Sequence, residues 1–184
     1  MLDEVRRPPP RRGRIIAVTA AVVASISVAV LLASLRESGL PSGLRDPLAL
    51  RVTDILERSS PAEHHEHGHE FGADAGRVIC AVDPFGVSPP EAATVADVEW
   101  VYARHMCAIT GAGTDWAMSV RVSGPLAVRL GEPAEVRVPE PGTGYPERVR
   151  QTIPERYHED AFAELADDVI EGARARFDRT AKAR

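Results

Sequence analysis

The sequence predicts an α+β protein: a single transmembrane helix followed by a small extracytoplasmic domain built as strand, helix, antiparallel meander and helix. Three observations lead there. Residues 15–35 form an apolar run of 21 residues without a charge, Pro or Gly. Charge is distributed unevenly about that run. Seven of the nine aromatic residues fall between positions 77 and 165, and large aromatics dominate the buried area of a small core.

The first 14 residues form a basic arm. They hold Arg6, Arg7, Arg11, Arg12 and Arg14 against Asp3 and Glu4, and Pro8-Pro9-Pro10 keeps the chain extended. The apolar run that follows spans about 31 Å as a helix, which matches a hydrocarbon core of about 30 Å. A buried helix of a soluble protein carries a polar stripe that this run lacks. A cleaved signal would want a shorter apolar core, and its best small-x-small site, Ser27-Val28-Ala29, lies inside the run. The run therefore reads as an uncleaved anchor in the lipid bilayer. Arginines crowd its N-terminal side, so the N-terminus is expected in the cytoplasm and residues 36–184 outside the cell membrane.

With a total charge of −5 and a net +3 in residues 1–14, the part beyond the anchor carries −8. That excludes a nucleic-acid partner for the outer part, because phosphate recognition needs clustered cations. One lysine stands against 21 arginines, and asparagine is absent. This composition suits a GC-rich bacterial genome and leaves no acceptor for Asn-linked glycosylation.

Residues 36–76 read as a juxtamembrane segment with one short helix over 47–58. Asp46 supplies an N-cap with Pro47 at the first helical position, and Leu48, Val52, Ile55 and Leu56 share a face. His64-His65-Glu66-His67-Gly68-His69 follows. Four imidazoles in six positions can offer nitrogen ligands to Zn, Ni or Cu, so His64, His65, His67 and His69 are the candidate metal ligands. The competing reading is a solvated linker of biased composition.

The compact domain is expected over 77–184. Residues 77–82 read as a strand ended by Asp83-Pro84. Thr94 and Asp97 have the form of a capping box, which predicts a helix reaching Ile109 with Val95, Val98, Tyr102 and Met106 on one face. Strands are expected over 116–122, 126–130 and 135–138, separated by Ser123-Gly124-Pro125 and Gly131-Glu132-Pro133. Residues 139–146 read as a loop. A last helix over 155–177 buries Phe162, Leu165, Val169 and Ala173, with its acids early and its bases late, as the helix dipole favours.

Cys80 and Cys107 are the only cysteines. An even count outside the membrane predicts a disulfide, here between the first strand and the end of the first helix. The alternative, Cys107 as nucleophile with His105 as base, suffers because residues two apart on a helix diverge. Tyr157-His158-Glu159-Asp160 sets an imidazole beside carboxylates, which the acidic first turn of a helix explains without chemistry. Gly111-Ala112-Gly113 is read as a helix stop, lacking the strand that a dinucleotide loop requires. No set of nucleophile, base and oxyanion donors emerges. The expected function is therefore a binding or assembly accessory domain for a cell-envelope protein partner. Metal capture by the histidine tract and a cell-envelope enzyme are the alternatives.

Overall fold

The computed structural model describes residues 39–59, 76–110 and 115–182. The basic arm, the apolar run of 15–35 and the histidine tract lie outside the described residues. So does any account of a membrane span: among the described residues no helix is long and apolar enough to cross a membrane.

The described chain runs α1 (Ser42–Arg58), β1 (Val78–Ser88), a 3-10 turn (Val95–Asp97), β2 (Trp100–Ile109), β3 (Arg121–Arg129), β4 (Glu135–Arg137), α2 (Tyr145–Thr152), a second 3-10 turn (Glu155–Tyr157), α3 (His158–Phe162) and α4 (Asp167–Lys182). The four strands form one antiparallel meander in sequence order. Helix α1 covers one face, and the three later helices cover the other.

Helix α1 exists because Leu44, Leu48, Val52 and Leu56 recur every four residues, and all four are buried. The stripe starts at Leu44, one turn before Leu48 and two residues before the expected N-cap. The carbonyl of Pro41 accepts the N–H groups of Leu44 and Arg45, so the helix begins at Ser42 and Pro47 sits inside it. Asp46 is therefore not the cap. The extra turn brings Leu44 onto the sheet and Arg45 to its edge. Against this helix pack Val78, Cys80, Val82, Val101, Ala103, Cys107, Leu126 and Val128.

Strand β1 does not stop at Asp83-Pro84. It is the sheet edge, where a missing N–H is tolerated, and it continues to Ser88 through a bulge. Pro84 pairs with Ala103 and Gly86 with Tyr102, leaving Phe85 as the extra residue. The bulge turns the Phe85 ring onto the face away from α1, where it joins Tyr102, Ala127, Val149, Ile153 and Ala161.

The expected helix over 94–109 is corrected to a turn and a strand. The capping interaction is real, with the Thr94 N–H and hydroxyl both donating to the Asp97 carboxylate, but it closes only three residues. Strand β2 then lies centrally between β1 and β3. Val101, Ala103, Cys107 and Ile109 face α1, and Tyr102 and Ala108 face the later helices. Apolar residues on both faces erase the alternation that marks a half-exposed strand.

Two of the expected strands merge into β3. Gly124 and Pro125 lie within it, on the stretch that β4 leaves unpaired, since β4 pairs only with Ala127 to Arg129. Trp116 belongs instead to a turn before β3, its ring edge-on to Phe177 at 5.4 Å. Strand β4 falls within the expected 135–138.

The single helix expected over 155–177 is broken into the second 3-10 turn, α3 and α4, and α2 precedes it. The break has a packing reason. Ala161 completes the Phe85–Tyr102 cluster, while Ala173 and Phe177 pack on Ile79, Ala81 and Ala108, toward the other end of the sheet. Phe162, expected to be buried, is 45% exposed and lies under the Arg150 guanidinium. Leu165 and Val169 are partly buried, and Ala173 is buried as expected.

Candidate binding site

The disulfide is present. Cys80 and Cys107 are register partners on β1 and β2, joined under α1. It therefore links two strands, not a strand to a helix. Closing 27 residues of chain stabilises by about 3.5 kcal/mol in the chain-entropy account. His105 and Cys107 lie two apart on a strand, hence on the same side of it, but the thiol is consumed. His105 is 1% exposed and its Nδ1 donates to the Gly124 carbonyl at 2.8 Å.

The other acid–base candidates are also engaged in structure. His158 Nε2 donates to the Ile153 carbonyl at 2.9 Å. Tyr157 lies flat over Gly86, where a Cβ would come within 2.6 Å of its ring. Its hydroxyl donates to the Val87 carbonyl and accepts from the Val87 N–H. The Asp160 carboxyl is raised above the ordinary carboxylate range, chiefly by burial and against the pull of Arg104. Gly111 follows a strand after all. The next described elements are a turn and β3, so the strand–loop–helix order of a dinucleotide site is still missing.

Asp83 sequence reasoning passed over as a strand stop. It is 4% exposed and meets Arg104 Nη2 at 2.5 Å and Arg45 Nη2 at 2.8 Å. Arg45 Nε also donates to the Pro84 carbonyl, and Arg104 Nη1 donates to the Asp160 carbonyl. Farther along the same edge, Glu57 Oε1 accepts the Cys80 N–H at 2.9 Å, and Arg176 bridges Glu57 and the Cys80 carbonyl, both at 2.5 Å. Side chains from α1, α4 and the second 3-10 turn thus occupy outward backbone groups of β1 at Cys80, Pro84 and Val87. An edge so occupied is closed to pairing with another strand at those positions. None of these contacts could be read from local spacing, because each joins distant segments.

The Glu57–Arg176 pair forms one wall of a cavity of about 750 Å³ between the last turns of α1 and α4. Asp54, Arg58, Arg77, Val78, Ile79, Arg179 and Thr180 complete its lining. Sequence reasoning missed this cluster too, since its arginines come from two helices and the residue just before β1. For the metal reading, no group of three His, Cys, Asp or Glu side chains gathers among the described residues; His64, His65, His67 and His69 lie outside them. Comparison with protein-family models, curated proteins and solved structures yields no match.

Proposed function

We propose that this chain is a membrane-tethered accessory protein whose outer domain binds a partner of the cell envelope. The observation that carries the reading is the Cys80–Cys107 disulfide, which uses both cysteines and belongs in an oxidising compartment. The 21-residue apolar run with its basic flank supports the same placement. Binding is favoured over catalysis because His105, His158 and Cys107, the described residues that chemistry would recruit, are held in structural contacts. Both faces of the sheet are also packed under helices, which leaves the helix surfaces and loops to make contacts. Chain recovered from cells with alkylation at lysis should titrate no free thiol before reduction and two after it. Two free thiols before reduction would place the domain in a reducing compartment and sink the reading.

A further inference from the structure

The cavity at the start of β1 is cationic. Four guanidiniums line it, Arg58, Arg77, Arg176 and Arg179, against the carboxylates of Asp54 and Glu57. Both carboxylates are already engaged: Asp54 pairs with Arg58 at 2.8 Å, and Glu57 with Arg176 at 2.5 Å. Arg77 and Arg179 have no carboxylate partner among the described residues.

Their backbones are held, while both side chains are exposed. Arg77 is anchored by its backbone, its N–H donating to Thr110 Oγ1 at 2.9 Å and its carbonyl accepting the Thr110 N–H at 2.8 Å. Arg179 projects from α4 one turn beyond Arg176, which is itself held by Glu57 and Cys80. The C-terminal carbonyls of α1 and α4 bring partial negative charge toward the same place. That charge is spread and fractional, and Ser59 already covers the carbonyls of Ile55 and Leu56 with its own N–H. A cationic surplus remains.

We propose that this cavity binds a small oxyanion carrying two or more negative charges, of the phosphate or polycarboxylate class. Guanidinium forks match such groups with paired, charge-assisted hydrogen bonds. The volume suits a small ligand or a single headgroup. In this scheme Arg77 and Arg179 supply the free forks, and Arg176, pinned by Glu57, fixes the wall between them. The inference rests on the domain alone and holds wherever the domain resides.

The test is calorimetric titration of the full chain in neutral detergent with pyrophosphate and with citrate. A parallel arm uses mixed micelles with and without phosphatidylglycerol. Saturable binding of either soluble anion identifies a free ligand. Binding confined to the anionic micelles identifies a lipid headgroup. In both cases Arg77→Ala/Arg179→Ala should weaken binding at least about tenfold and leave the melting temperature of the unliganded chain unchanged. Arg174→Ala, exposed on the same helix outside the cavity, should change neither. Absence of binding in every arm, or equal weakening by Arg174→Ala, overturns the proposal.

Discussion

Asp83 is the one carboxylate buried among the described residues. Its side chain is 5% exposed, and it is the carboxylate on which Arg104 and Arg45 converge. Removing one member of a buried ion pair strands its partner, at a cost of about 3–5 kcal/mol. Arg45 is 41% exposed and can return to water, whereas Arg104 is 14% exposed and cannot. Asp83→Ala should therefore lose about 3 kcal/mol in urea unfolding of the full chain, and a loss below about 1 kcal/mol would contradict this account of the pair. Asp160 acts with the opposite sign. Burial raises its proton affinity in the folded state, so its stabilising effect is complete only below the unfolded carboxylate range and is lost as pH rises through the folded value. Asp160→Asn should raise the melting temperature slightly at pH 7, the effect being reduced by the partial exposure of the group, and should match the parent near pH 3. A gain that persists at pH 3 would point to a cause other than ionisation. Of these residue-scale features, the disulfide pairing was legible because two cysteines allow one partner each. Asp83 was not, because a carboxylate before proline is an ordinary turn signal and its arginines come from other elements.

Among the elements, the edge strand β1 shows best how distant residues fix local structure. Its bulge at Phe85, its glycine at 86 and the Tyr157 hydroxyl at Val87 form one device: the ring rests where residue 86 has no side chain, and the hydroxyl takes the backbone beyond. Gly86→Ala forces a Cβ to within 2.6 Å of that ring and should cost about 1–3 kcal/mol, the usual range for overpacking. In Tyr157→Ala the same substitution should cost far less, giving a coupling of about 1 kcal/mol or more in a double-mutant cycle. Additive losses would show that the ring does not select glycine. Helix α1 was legible from its four-residue apolar stripe, and β4 from its short run between turns. The 94–109 segment was not, for two reasons. A genuine capping pair at Thr94 and Asp97 announced a helix that ends after one turn. A central strand packed on both faces also offers no polar face to betray a period of two. Strand β3 was cut in two because Gly124-Pro125 signals a break, a signal overridden because β4 does not reach this stretch and nothing on that side misses the proline N–H.

For the whole molecule, the order of burial explains the architecture. One helix cannot cover a four-stranded sheet on both faces, so α1 takes one side and the chain after β4 supplies three helices for the other. The disulfide then ties the edge strand to the central one beneath α1, while Arg45, Glu57, Arg176 and Tyr157 close that edge from outside. The proposed function sets this domain outside the membrane. The placement itself rests on the apolar run at 15–35 and its arginine flank, and labelling in intact cells tests it most directly. Single cysteines introduced as Val5→Cys and Gly39→Cys bracket the run, and Gly39 is exposed with open space around it. A membrane-impermeant maleimide should label the chain with cysteine at 39 in intact cells and the chain with cysteine at 5 only after permeabilisation. Labelling at 5 with protection at 39 would invert the orientation and contradict the account.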